Sequence, residues 1–505
     1  MRTCSVRLAR VLLSISLLAL QPLTATAQGE WVVKGDCTPE LTDGGQTRGL
    51  ARRLPSIRKD WDPTKVYKQM VVLVSFRDVD FKAEDPLATY NAMFNERGYN
   101  QRNGAGCVAD YFREQSGGLF NLEFDVYGPV KVDTLANPFA NPTDKTRSYG
   151  STQFRTALQK VFSDNPEVDY TQYDWDGDGR IDQVIIVFAG LCGNQGEGTY
   201  GYIWPSTGSF STLTAPGDVR LSKFTASGEL WRNNLGNCGI GTICHEFSHS
   251  LGLPDIYPTA SSAGYSVVDE WDLMDGGNFT NYGWCPPDYS PLEKMLFGWL
   301  SPVELKEPFT VKNMKPLADG GEVYIIKNSE TDYYLLENRQ QKGWSLGVPG
   351  RGLVIYHVKY SESKWSTNGV NTDKNNYCYE LLHADGLDYD GWDALLEQRG
   401  AKTKYANKPR LNCLYLSTSP FPWSTDTTAT VNSALTNTKT PITNITMTED
   451  GLVSFDFCGG NDNAISEARL PETLDDACYD LQGRRVSGRP GRGLYIVAGR
   501  KVIVR

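Results

Sequence analysis

Histidine is scarce in this chain of 505 residues, which holds four. Chemistry that needs imidazole must therefore draw on few positions, and two of the four, His245 and His249, stand four apart with Glu246 beside the first. An excess of basic residues is also missing. Fifty Lys and Arg against sixty Asp and Glu give a formal net charge of −10, with no long basic stripe, which argues against a nucleic-acid partner. Beyond the N-terminus no run approaches the roughly 18 apolar residues of a membrane-spanning helix, so no transmembrane segment is expected. What is plentiful, 49 Gly, 26 Tyr and 12 Trp, fits a loop-rich, β-containing chain, and the length favours two or three domains over one.

Residues 245–257 read HEFSHSLGLPDIY. On a helix, residues i and i+4 share a face, so both imidazoles can reach one Zn²⁺ at about 2.0–2.1 Å. Glu246 faces the same cleft, suited to take a proton from a metal-activated water. Ile240, Ile243, Phe247 and Leu251 fall at helical spacing and supply a buried face. Gly252 is the residue type that ends a helix with positive φ, and Pro254 prevents it from resuming. The chain must swing round there, bringing Asp255 toward the metal as a third ligand, where the long metzincin motif usually has histidine. Asp269 and Glu270 are rival carboxylates. They precede Trp271-Asp272-Leu273-Met274-Asp275-Gly276-Gly277, which looks like a Met-turn centred on Met274. Cys244 is about 100° round the helix from His245 and reads as a packing or disulfide residue.

With these stretches VVLVSFRDVDF (71–81), DYFREQSGGLFNLEFDVYGPV (110–130), DYTQYDWDGDGRIDQVIIVFAG (169–190), YYLLENRQ (333–340) and GLVIYHV (352–358), the chain resembles the M6 metallopeptidases of immune-inhibitor-A type from about residue 66 to 460. The resemblance implies a secreted zinc endopeptidase with His245, His249 and Asp255 as ligands and Glu246 as catalytic glutamate. The stretch before residue 66 is shorter than the propeptides of many relatives.

Arg2, Arg7 and Arg10, the apolar run Val11–Leu20 and Ala25-Thr26-Ala27 read as a signal peptide over 1–27, hence export, to the cell surface or beyond. Ten cysteines remain after it, an even number compatible with disulfides. Residues 28–65 read as a prosegment or linker, with the basic cluster Arg48, Arg52, Arg53, Arg58 and Lys59. Within it Cys37, Asp36 or Asp43 could occupy an open zinc position, or Cys37 could pair with another cysteine. VYKQMVVLVSF (66–76) and QVIIVFAG (183–190) suit buried strands of a mixed sheet, and GYIWPS (201–206) suits an edge strand that would bind an extended peptide.

Asp174, Asp176, Asp178 and Asp182, with Gly179 at the sixth position, match the front of a Ca²⁺ loop, but Ile185 stands where an EF-hand needs glutamate. A calcium site of non-EF type is expected. From residue 301 short strands, EVYIIKN (322–328), DYYLLENR (332–339) and GLVIYHVKY (352–360), predict a β-rich domain over 301–460. His357 and His383 have no metal-binding partner at useful spacing and read as structural, and 428–447 reads as further sandwich strands. The tail, 465–505, shows two or three strands around glycine turns and resembles a type IX secretion sorting domain, implying outer-membrane secretion machinery as a partner.

The expected architecture is an α/β (α+β) metzincin-like peptidase domain over 66–300, with mixed sheet and active-site helix, then the sandwich-like and C-terminal β domains. Protein or peptide substrates follow. Tyr282 is a candidate to assist zinc in stabilising the oxyanion. Two other readings stay open: a zinc hydrolase of a non-peptide amide, and a surface adhesion or carbohydrate-binding protein with a vestigial site.

Overall fold

A computed structural model describes residues 54–504 apart from 138–148, 196–198, 200, 233–235, 260–265, 399–414, 425–429, 462–477 and the connections of the last strands. The expected signal peptide and most of the prosegment, Cys37 included, lie outside the described residues.

The first sheet is built on β1 (Val66–Phe76), whose run of Val, Leu and Met is buried on both faces. The helices α1 (Pro86–Asn95) and α2 (Val108–Gln115) lead to β2 (Asn121–Val132), and α3 (Ser151–Asp164) leads to β3 (Val184–Leu191). β4 (Ser206–Thr214), β5 (Arg220–Trp231) and the short β6 (Gly236–Asn237) complete the sheet, in order β2-β1-β3-β5-β4 with β6 beside β5. β2, β1, β3 and β5 run parallel, and β4 is an antiparallel edge. The edge therefore begins at Ser206, where GYIWPS ends. Pro205 has no N–H to offer a ladder and Gly201 sits at φ +91°, so most of that hexapeptide lies outside the strand.

Alternate residues of β1 and β3 feed two cores. Met70, Val72, Val74, Ile186 and Phe188 pack with Phe154, Leu158 and Val161 of α3. Val71, Leu73, Ile185 and Val187 pack on the other face with Phe247 and Ile243 of the metal-motif helix α4 (Gly241–Ser250).

After α5 (Pro291–Leu296), β7 (Val303–Glu304), β8 (Phe309–Met314), β9 (Tyr324–Lys327), β10 (Asp332–Arg339) and β11 (Gly352–Lys359) follow, then α6 (Glu362–Ser366), β12 (Tyr379–Leu381), α7 (Tyr389–Gln398), β13 (Ile442–Met447) and β14 (Val453–Phe457). The three strands anticipated from the sequence are β9, β10 and β11. Of the stretch 428–447, its end forms a strand, β13. The five-stranded sheet β12-β11-β10-β9-β7 faces the three-stranded β13-β14-β8. Along β10, Tyr333 and Leu335 enter the core shared with the first sheet, while Tyr334 and Leu336 enter the core beneath the three-stranded sheet. The β-rich part is thus a sandwich on one face, and its other face closes the core of the first sheet. A polar seam crosses this junction: buried Arg339 pairs with Glu337 at 2.9 Å and donates to Asp288 O at 3.0 Å.

The helices α6 and α7 lie within the largely polar stretch 361–440. Four tail strands, β15 (Cys478–Tyr479), β16 (Arg485–Val486), β17 (Gly493–Val497) and β18 (Arg500–Val504), make one antiparallel sheet where two or three were expected. Each of the seven cysteines resolved as free, Cys107, Cys192, Cys238, Cys244, Cys285, Cys378 and Cys458, is unpaired, so none supplies the staple an even count allowed. No described helix is long and apolar enough to cross a membrane.

Candidate metal centre

α4 is buried on all sides, not along one stripe: every residue from Gly241 to His249 is buried. Gly241 begins it because a Cβ there would stand 2.0 Å from Asn278 O. Ile240, Ile243, Phe247 and Leu251 join one core. Cys244, in the same core, is a packing residue, and burial pushes its thiol well above the usual range. The helix ends as its sequence predicts. Gly252 takes φ +106°, its N–H bonds His249 O at 3.0 Å, and Leu253 N–H returns to Ser248 O at 3.1 Å.

The turn brings Asp255 against both histidines. His245 Nε2 and His249 Nε2 lie 3.2 and 3.1 Å from Asp255 Oδ1, with the imidazole rings nearly perpendicular at 85°. Asp269 and Glu270, the rival acids, are buried but are not among the three groups that come within 4.8 Å of one another. The turn at 273–274 buttresses the centre through its backbone: His245 Nδ1 lies 2.8 Å from Leu273 O, and Met274 O accepts from Ile256 N at 2.8 Å. His249 Nδ1 lies 2.7 Å from Leu253 O.

These carbonyls fix the tautomers. A carbonyl cannot donate, so each Nδ1 carries the proton and each Nε2 of a neutral ring presents a lone pair. Asp255 Oδ1 is buried without a hydrogen-bond partner. Three lone pairs therefore converge in a dry site, an arrangement that only a cation or an extra proton satisfies. The donor set of two imidazoles and one carboxylate suits Zn²⁺. Without metal, burial works against a charged His249 ring, but the Asp255 carboxylate outweighs it and holds the ring up at about 9. Burial likewise works to raise Asp255, and the neighbouring His249 outweighs it, holding the carboxyl far below the usual range.

Glu246 is buried at 9% exposure, and its Oε2 lies 3.4 Å from Thr207 Oγ1 on the edge strand β4. The same hydroxyl donates to Glu246 O, and Thr225 of β5 approaches that carbonyl at 3.4 Å. The edge strand and the helix are thus joined at the glutamate. Tyr257 stacks on His245 at 6.4 Å between centroids, and the main-chain carbonyl of Tyr282 accepts from Trp231 Nε1 at 3.0 Å.

Sequence reasoning missed Asn368. Its Nδ2 donates to Asp255 Oδ2 at 2.7 Å while its Oδ1 accepts from Asp255 N–H at 2.6 Å. No signal near the motif announces a residue 113 positions downstream. His357, against Asp332 at 3.1 Å, and His383, against Ser419 Oγ at 2.7 Å, stand in hydrogen-bonded settings, and burial drives His383 down to about 4.

The acidic loop gathers Asp174, Asp176 and Asp182 within 4.8 Å and leaves Asp178 outside. Asp174 accepts from the amides of Gly177, Asp178 and Gly179 at 2.8, 3.2 and 2.8 Å. Asp182 accepts from Trp175 N–H at 2.7 Å and from Arg58 Nη1 at 3.3 Å.

Residues 68–297 match the family model of the immune inhibitor A peptidase M6 catalytic domain. The chain is 22% identical to immune inhibitor A of Bacillus thuringiensis subsp. alesti over 516 aligned positions, 86% of this chain and 72% of the relative. It is also 22% identical to the pre-pro-metalloprotease PrtV of Vibrio cholerae serotype O1 over 243 positions, 43% of this chain and 26% of that protein. The convergent histidines and carboxylate lie inside the matched region: the chain is a metalloendopeptidase, and its residues 68–297 are similar to a peptidase M6 catalytic domain.

Proposed function

We propose that the chain is an exported zinc endopeptidase of metzincin-like fold, with His245, His249 and Asp255 as metal ligands and Glu246 as the catalytic acid and base. The observation that carries this reading is the convergence of two imidazole Nε2 atoms on a buried carboxylate oxygen that has no hydrogen-bond partner.

When bound, Zn²⁺ would lower the pKa of a coordinated water toward about 7 and polarise the scissile carbonyl. Glu246 takes the proton that water loses and later delivers it to the departing amine. Thr207 steadies Glu246 from β4, so the strand that would hold an extended peptide also aligns the proton carrier. β4 pairs only with β5 among the described strands, which leaves its outer edge free for main-chain pairing with substrate. The Leu273 and Leu253 carbonyls keep the Nδ1 protons in place, and with them the direction of both Nε2 lone pairs.

Metal analysis together with digestion of a denatured protein by wild type and Glu246→Ala tests the reading. Zinc in both proteins and cleavage by wild type alone is expected, while equal cleavage by both would remove Glu246 from the mechanism. Cleavage by neither, with metal bound, would favour a non-peptide amide substrate or a binding protein.

Calcium at Asp174, Asp176 and Asp182 is a weaker reading, supported by their proximity, because the ion would share Asp182 with Arg58 and Asp174 with three amides. Melting that EGTA leaves unchanged would sink it. Export rests on the N-terminal and C-terminal sequence patterns, and sequencing both ends of the protein recovered outside the cell would test signal, prosegment and sorting tail together.

A further inference from the structure

We infer that Asn368, supplied by the β-rich part of the chain, is the positioning residue for the third metal ligand, so that the metal centre is incomplete in the family-matched domain alone. The inference rests on the reading of Asp255 as a ligand.

The turn after Gly252 carries no regular structure to hold it, yet it must aim a carboxylate to within a few tenths of an ångström. Asn368 grips Asp255 at two points, with its amide nitrogen on Oδ2 and its amide oxygen on the main-chain N–H. With Oδ2 engaged, Oδ1 is the oxygen left to face the histidines. The reach of this grip depends on backbone geometry. Asn368 follows α6 at φ +58°, a left-handed conformation that asparagine adopts more readily than most residues.

Its surroundings fix it in turn. Asn368 O accepts from Thr259 Oγ1 at 2.9 Å, at the far end of the same turn. Three residues on, fully buried Asn371 donates to Ile256 O at 3.0 Å and to Tyr379 O at 2.8 Å, while its Oδ1 accepts from Cys378 and Tyr379 N–H. From the other side, Leu54 N–H donates to Ser366 O at 2.9 Å and Arg58 N–H to Leu251 O at 3.1 Å. Both segments, 54–58 and 365–371, lie outside residues 68–297. An asparagine that holds a carboxylate by one oxygen acts as the outer-shell partners of metal ligands do, whose loss lowers metal affinity about 10–100-fold.

The test uses the full chain with Asn368→Gly, which suits the left-handed backbone and removes the side chain, and Asn368→Asp, which keeps its size but turns the donor into a repelling carboxylate. Zn²⁺ affinity is measured by competition with a chromogenic chelator, geometry by the visible spectrum of the Co²⁺-substituted protein, and fold by melting of the metal-free protein. Both variants are expected to bind Zn²⁺ about 10–100-fold more weakly, with altered Co²⁺ bands and an unchanged metal-free melting temperature. Wild-type affinity and spectrum in both variants would overturn the inference. So would weakened binding that appears only together with a lowered metal-free melting temperature, since Asn368 would then serve folding. Wild-type protein that binds neither metal would instead defeat the reading of the site on which the inference rests.

Discussion

Two groups of potential ligands stand in the same domain, and they differ less in composition than in what their atoms already have. Around His245, His249 and Asp255 the donors are buried, and the outward protons of the rings are committed to carbonyls, so three lone pairs meet with nothing between them. Around Asp174, Asp176 and Asp182 the carboxylates are partly exposed and accept from amides of their own loop, and Arg58 stands by as a resident cation, its guanidinium also 5.2 Å from the Trp175 ring. A deficit of protons, more than a count of acidic residues, separates a metal centre from an acidic turn.

The contrast can be broken by activity first. Glu246→Gln is expected to lower kcat/KM about 10²–10⁴-fold, whereas Asp174→Asn should leave it within about twofold, since Asp174 is not in the group formed by His245, His249 and Asp255. Comparable losses in a peptide-cleavage assay would erase the distinction. Metal removal sharpens it next. Zinc at about a thousand times its Kd stabilises by about 4 kcal/mol, while calcium at about ten times its Kd adds about 1.4 kcal/mol. Calorimetry with a zinc chelator should therefore show the larger fall in Tm and EGTA the smaller; the reverse order would exchange the roles of the two groups.

Smaller still is Asp174→Ala, which strips three amides of their acceptor at a partly exposed site. A loss of about 1 kcal/mol is expected in urea unfolding without calcium, and no loss would mean that the loop does not depend on these bonds. Asp182→Asn should change stability least, by about 0.5 kcal/mol or less in the same medium. Burial raises the Asp182 carboxyl above its usual range, so the charge adds little, and the amide oxygen can still accept from Trp175. A large loss confined to calcium-containing buffer would reveal a bound ion.

The centre was readable where it is local. Residues 245–255 place two imidazoles by helical period and turn the chain by glycine and proline, so both the helix end and the approach of Asp255 follow from eleven consecutive residues. Asn368 was not readable because the grip it makes depends on how a second sheet docks, and no periodicity encodes that contact. The strands β1 and β3 were legible as buried, but which residue faces which core was not, because both faces are apolar and alternation vanishes. α7 was missed although Trp392 and Leu395 recur at helical spacing; the polar residues around them masked the period. The edge strand was displaced by several residues because aromatic β-formers in GYIWPS outweighed Pro205.

The core that the first sheet shares with the β10 sheet has a consequence for an enzyme that lives among its own copies. Neither half can open without stripping apolar surface from the other, which raises the cost of partial unfolding for residues around that core. Proteolysis feeds on transiently opened chain. A peptidase whose two halves share a core offers its neighbours fewer opened segments to cut, and the joint between the halves guards it against its own copies as much as either half does.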